Sequence, residues 1–346
     1  MDITRRNMIL TGTAIMASGC GAQQKADQTT GETNKVTGLW STATALPLAV
    51  QEIYPTKHKG RIHQAGGFIA TNGRISGPTA KHFSWMPGEP VWHEELPLPV
   101  ARHHPQLISF KAHLLALAGF ESRSQQSAWV MQKNGWALGA EGQWQNIPDL
   151  PAPCGESVLG ITGDGLLHLA GGRTPLGPNN ASWQDHGDTD HHFVLDDING
   201  MWERAAPCLT KRNSAAGDII DGALHIVGGR QVGGGNVAGH EVYDAREDRW
   251  RKAAPMPQAQ GGLAAANLGG KLYAFGGEYF TANGGGVHPQ SWVYDPVKDS
   301  WAALPDMPTP RHGLGAVTLS NKIYVIGGAK QYSGTDTSAI VERFAP

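Results

Sequence analysis

Cysteine is scarce in this chain: three residues in 346, at Cys20, Cys154 and Cys208. With Cys20 set aside, Cys154 and Cys208 allow one bridge at most, and each follows a proline. An oxidising compartment would permit that bridge; two separately buried thiols fit the sequence equally. Excess charge is missing too. The formal net charge is −2, from 28 Lys plus Arg against 30 Asp plus Glu, and no basic run follows the first residues. That argues against nucleic acid as a partner. Long apolar runs are lacking. Met8–Met16 is too short to cross a bilayer as a permanent helix, and no second apolar segment follows, so no span is expected. No long segment carries the 3.6-residue period of an amphipathic helix.

What is present is a repeat. Near the end of the chain stand Trp301, then Met307-Pro308-Thr309-Pro310-Arg311-His312-Gly313. Two short apolar or alternating runs follow, Leu314–Leu319 and Ile323–Ile326, joined by Ser320-Asn321-Lys322 and closed by Gly327-Gly328. Such runs with turn residues between them predict paired strands. The tryptophans Trp40, Trp92, Trp144, Trp202, Trp250 and Trp301 recur at spacings of 52, 52, 58, 48 and 51. Gly66, Gly119, Gly171, Gly228, Gly276 and Gly327 each follow their tryptophan by 26 or 27 residues. A period near fifty with Gly-Gly and Trp resembles the kelch repeat, whose unit is one four-stranded propeller blade. Blade 2 departs with Gly119-Phe120, and blade 1 is degenerate between Pro47 and Gly60.

The resemblance implies an all-β fold: a six-bladed kelch-type β-propeller over residues 38–346. In blade 5 the four strands are expected near Gly261–Leu268, Lys271–Gly276, Gln290–Asp295 and Ser300–Leu304. The sixth blade runs out of chain after Thr337–Phe344. Its outermost strand must therefore come from Gly38-Leu39-Trp40-Ser41, which closes the ring and removes a sheet edge.

Ahead of the repeats, Thr4-Arg5-Arg6-Asn7-Met8-Ile9-Leu10 resembles a twin-arginine export signal, and Ala17-Ser18-Gly19-Cys20 resembles a bacterial lipobox. Residues 1–19 are expected to be a signal peptide. Residues 20–37 read as a flexible tether anchored by lipid on Cys20. The expected location is the periplasm or cell surface, with the membrane met through the lipid alone.

Two sets of connections emerge on one face of such a meander: those entering the innermost strands, and the longer ones between second and third strands. Function concentrates in such loops. Arg102, His103, His104, Glu156, Arg212, Asn213, Gln260, Arg311 and His312 lead into innermost strands; Glu121, Arg173, Arg230, Glu278, Tyr279 and Lys330 follow second strands. The candidate ligand contacts are Arg102, His103, Glu121, Arg173, Arg212, Asn213, Arg230, Arg311 and His312, with Glu278 as the candidate acid–base residue. Arginine forks pair with carboxylates, so the set predicts an anionic ligand, whether small molecule, glycan or protein. The alternative is a structural ion-pair ring.

The segment Trp183–His192 is dense in His and Asp, the residue types that ligate metals. Polar loops look alike without one, so neither a metal nor another cofactor is expected. Six-bladed N-acetylneuraminate epimerases share the repeat, which implies a carbohydrate-active enzyme as a second reading. Galactose oxidase shares it as well, but the chain lacks the Tyr-His pair of that copper site, which disfavours a copper-radical oxidase. A monomer is expected.

Overall fold

Short β-branched runs between turn residues fold as four-stranded antiparallel sheets, six of them among the described residues. The computed structural model describes residues 37–72, 74–124 and 127–346. Arg5, Arg6 and Cys20, with the signal and tether readings that rest on them, lie outside that range. The innermost strands are Thr56–His58, Gln106–Phe110, Val158–Ile161, Ala216–Ile220, Ala264–Leu268 and Gly315–Leu319. Each touches the next, and the last touches the first, so they ring a common axis. Blade 5 continues with Lys271–Phe275, Ser291–Asp295 and Ser300–Ala303.

The sixth sheet is completed by the other end of the chain. Leu39–Thr42 pairs with Val341–Ala345, with Trp40 opposite Phe344. The Val341 strand starts later than the sequence suggests, because Thr337 bridges to Ala329 instead. The Gly-Gly of blade 2 is also displaced. Ala118 takes the place of the first glycine, at φ 55°, and Gly119 that of the second, at φ 80°. At most other repeats a side chain would collide: a Cβ on Gly228 would lie 2.6 Å from the Gln260 carbonyl oxygen.

Two ties recur between neighbouring blades. All six repeat tryptophans donate their indole N–H to a carbonyl of the preceding blade, as Trp250 does to Ala206 at 2.9 Å and Trp40 to Pro305 at 3.1 Å. Behind them lie buried histidine pairs: His63 with His82 at 3.0 Å, His168 with His192 at 2.8 Å, and His225 with His240 at 2.9 Å. The second histidine of each pair donates Nδ1–H to a carbonyl, Leu96, Ala206 or Ala254. The next blade's tryptophan donates to that same oxygen. Two donors thus meet at each carbonyl acceptor, and neither is left orphaned.

The connections after the second strands were expected as loops. Five of them fold as ribbons above the blades: Phe68–Thr71 with Arg74–Pro78, joined by Val50–Gln51 as a third strand, and four two-stranded ones, Phe120–Glu121 with Val130–Met131, Arg173–Pro175 with His186–Asp188, Arg230–Gln231 with Gly235–Asn236, and Glu278–Thr281 with Gly284–Val287. From blade 2 to blade 6, the residue after the second glycine also bridges to the residue entering the innermost strand, as Glu278 does to Gly261. The pairing stiffens the ribbon at its root.

The histidine pairs make the fold sensitive to acid. Burial strips water from the imidazolium form and pushes His63 and His225 down to about 3, and His168, His192 and His240 down to about 4. The unfolded chain, with histidines near 6.5, takes up protons first as pH falls. Stability is therefore present above pH 6.5 and is lost progressively below it. The melting temperature, followed by circular dichroism, should drop between pH 7 and pH 5. A flat profile over that interval would contradict the account.

Candidate functional site

One backbone position builds the site. Two residues after each buried entry residue, the chain turns left-handed: Glu52 (φ 57°), His104 (55°), Glu156 (57°), Ser214 (50°), Gly262 (69°) and Gly313 (58°). These six residues face the axis. Their main chains hydrogen-bond from blade to blade: Gly262 N–H to Ser214 O at 2.8 Å, Gly313 to Gly262 at 2.9 Å, Glu52 to Gly313 at 2.7 Å and His104 to Glu52 at 3.0 Å. Four blades thus present a side chain and two present glycine. The glycine side is where neighbours reach in. A Cβ on Gly313 would lie 2.8 Å from the Glu52 carboxyl, and one on Gly262 would lie 2.8 Å from Arg230 Nη2.

Above this ring opens a cavity of about 670 Å³, within the usual range for small-ligand sites. Phe68, Trp129, Trp183, Tyr279 and Phe280 line its walls; Glu52, His104, Glu156, Arg230, Glu278 and His312 line its base. The channel between the innermost strands is a second space, of about 870 Å³, and holds Tyr54.

Hydrogen-bond order fixes the protons at the base. His103 is buried and neutral, its pKa pushed well below the ordinary value by burial and then by His104. Its Nε2 faces the Ala128 carbonyl at 3.1 Å and must carry hydrogen, so its Nδ1 accepts. The donor to it is His104 Nδ1 at 2.7 Å. His104 Nε2 lies 2.9 Å from Glu52 Oε2. Burial alone would raise the Glu52 carboxyl, but His104, by charge and hydrogen bond, with His312 and Arg230 behind, holds it at about 2. His104 thus bridges Glu52 and His103 through its two ring nitrogens. His103 is in turn clamped between the rings of Phe68 and Phe120, at 3.8 and 4.9 Å.

Four of the ten expected site residues reach the cavity: Arg230, Asn213, His312 and Glu278. Arg230 Nη1 donates to Glu278 Oε1 at 2.7 Å, and Glu278 Oε2 accepts the Ser333 N–H at 2.9 Å. His312 donates Nε2–H to the Gln331 carbonyl, and Asn213 is hydrogen-bonded to Asp188.

The other six do not reach it. Arg102, Arg212 and Arg311 are 0–2% exposed. Each donates to the carbonyl at the end of the second strand and to one entering the third: Arg311 to Gly327 at 2.6 Å and Ile340 at 2.9 Å, Arg212 to Gly228 at 3.1 Å and Gly239 at 2.7 Å, Arg102 to Ala118 and Asn134, both at 3.0 Å. A carboxylate completes each tie: Glu342, Glu241 and Glu121. Arg173 is buried beneath Trp183, its guanidinium 3.9 Å from the indole ring. As anion anchors, Arg102, Arg173, Arg212 and Arg311 are therefore corrected: they hold blades and ribbons together. Glu121 serves Arg102, and His103 serves His104. The residues that sequence reasoning underweighted are Glu52 and the aromatic walls. A signal for Glu52 existed, since it occupies the same repeat position as His104 and Glu156.

The architecture agrees with what the chain resembles. A family model described as the Kelch motif matches residues 261–308, which is one full repeat. The chain thus carries a kelch motif in its fifth repeat. Kelch-like protein terF of Aspergillus terreus is 26% identical over 349 residues, covering 98% of this chain and 73% of the relative. Kelch-like protein 35 of Mus musculus is 28% identical over 42% of this chain, which spans 24% of that relative. Beta-scruin of Limulus polyphemus is 28% identical over 49% of the chain and 19% of its own length. This chain thus spans a quarter or less of the latter two. The structure of YjhT superposes with a TM-score of 0.70 at 12% identity, covering 86% of this chain and 95% of that one, and shows the shared fold.

In this propeller frame the remaining candidates have structural partners. His186 Nε2 lies 2.9 Å from Asn180 Oδ1, and no group of three His, Cys, Asp or Glu among the described residues is arranged to hold a metal. Cys154 and Cys208 are both free and buried, and burial pushes each thiol up to about 12. The arginine ties make a clear prediction. Arg311→Ala strands buried Glu342 without its cation, at a cost of about 3–5 kcal/mol. Urea unfolding should show that loss. Unchanged stability would mean that the tie is dispensable.

Proposed function

We propose that this kelch propeller is a binding protein that takes a small carbohydrate into the mouth cavity. The observation that carries the reading is the combination of aromatic walls with a carboxylate-rich base in one concave site. Sugar C–H faces lie against aromatic rings, and hydroxyls donate to carboxylates in strong charge-assisted bonds. Arg230 supplies a cation at the base, with Nε and Nη2 not engaged by protein acceptors. An acidic sugar would have Arg230 as its anchor, because the other expected arginines lie elsewhere. The anionic reading therefore narrows to one residue, itself paired with Glu278.

Catalysis is less supported than binding. Glu278 is held by Arg230 and the Ser333 amide, and Glu52 at about 2 is a poor proton acceptor near neutral pH. Neither Glu278 nor Glu52 is therefore the free acid–base residue that a sialic-acid-type epimerase would need. A protein partner is the second reading. It is favoured by the exposed apolar rim, where Ile75, Leu176, Val232, Phe280 and Tyr332 are 36–73% exposed around the same opening.

Trp129 and Trp183 report on the site by fluorescence. Titration with neutral and acidic mono- and disaccharides should give saturable quenching by neutral sugars. Trp129→Ala should weaken that binding at least ten-fold without loss of fold by circular dichroism. Binding of acidic sugars alone would restore the anionic reading and overturn this one.

A further inference from the structure

The base of the mouth is uneven in its polarity, and the unevenness specifies a ligand group. Glu52 and Glu156 occupy the ring positions on either side of His104. One oxygen of each is used: Glu52 Oε2 by His104, Glu156 Oε2 by the Ser214 hydroxyl. The second oxygen of each accepts no hydrogen bond among the described residues. Glu156 is 4% exposed and lines the cavity, yet no Lys, Arg or His among the described residues pairs with it within 4.0 Å. Both carboxylates act on one group: burial and then the charges of Glu156 and Glu52 raise the Tyr54 phenol well above its ordinary value. Both carboxylates line the same cavity, at the ring positions that flank His104.

Elsewhere in the cavity lining, the unmet groups differ. His288 is 6% exposed and Gln258 lies 3.1 Å from its Nδ1; its Nε2 has no partner. With the Gln258 amide donating, that Nε2 carries an unused hydrogen. His312, 1% exposed, donates Nε2–H to a carbonyl, and its Nδ1 lies 3.5 Å from Glu278 Oε1 and 3.8 Å from Glu52 Oε1, so it adds no free donor. Arg230 Nε is unengaged. The cavity thus offers carboxylate acceptors at one place and donors at another. Phe68 and Trp129, which pack beside His104 at 6.3 and 5.7 Å, add ring faces suited to a cation.

We propose that Glu52 and Glu156 form a primary-ammonium site, so that the preferred ligand carries an amino group at its inner end and hydroxyl or ring oxygens towards His288 and Arg230. An ammonium has three donors and supplies the direct ionic partner that buried Glu156 lacks, since Glu52 already has His104. A neutral diol supplies donors without the charge. An amide in place of the amine supplies neither the charge nor the three donors. The inference rests on the carbohydrate reading only for the body of the ligand. The same ammonium chemistry is carried by an amino sugar or by a lysine side chain.

Isothermal titration of the folded chain with glucosamine, glucose, N-acetylglucosamine and Nα-acetyl-lysine methylamide separates the possibilities. Glucosamine should bind at least ten-fold tighter than glucose or N-acetylglucosamine, and the preference should vanish in Glu156→Gln. Glu52→Gln, checked by circular dichroism, provides a second variant if Glu156→Gln does not fold. Equal binding of glucosamine and glucose would overturn the ammonium site and leave the carbohydrate reading standing. Binding of the lysine derivative with no sugar bound would keep the ammonium site and overturn the carbohydrate reading. Failure of all four would overturn both.

Discussion

The left-handed residue before each innermost strand is the constraint on which the rest depends. It turns the chain sharply from the periphery into the axis, and its amide and carbonyl join neighbouring blades. Four of the six junctions carry that main-chain bond directly. Because the turn brings six backbones close together, what each residue carries beyond Cα decides the shape of the mouth. Blades 5 and 6 carry hydrogen, and blades 1 to 4 carry Glu, His, Glu and Ser. The cavity is therefore lopsided by sequence, although its scaffold repeats six times.

Ionisable side chains elsewhere in the repeat serve the frame. Arg102, Arg212 and Arg311, together with Gln260, lock the end of one strand to the start of the next from inside the blade. The histidine pairs do the same at blade boundaries, as neutral donors and acceptors. The arginine and glutamine ties satisfy backbone carbonyls at the glycine bends, and the histidine pairs satisfy carbonyls that follow the outermost strands, which is why such polar groups lie so deep. Their burial makes the fold dependent on pairing, and it removes them from ligand chemistry.

The period, the four-stranded unit, the glycine bends and the closure by Trp40 were all legible in the sequence, because they follow from spacing and turn chemistry. The mouth was legible as a face but not as a set of contacts. Arg311 and Gly313 are two positions apart, yet one is sealed inside a blade and the other faces the axis. No periodicity marks which is which, since the left-handed turn between them breaks the alternation of a strand. Ala118 shows the same limit: it adopts the glycine conformation without being glycine, so the blade 2 bend was read one residue late. The ribbons above the blades were missed because their strands are two to five residues long and held at the root by a single bridge.

Non-glycine residues at positive φ cost roughly 1 kcal/mol or more each. The chain accepts that cost at Glu52, His104, Glu156 and Ser214, where glycine serves the backbone as well in blades 5 and 6. On the proposed reading, side chains are kept there against their own backbone preference because they serve the ligand. The direct test is Glu156→Gly, with unfolding free energy and glucosamine affinity measured on the same preparation. The account predicts stability equal to or above that of the parent chain and binding reduced at least ten-fold. A less stable variant that binds glucosamine normally would show Glu156 to be part of the frame, and would contradict it.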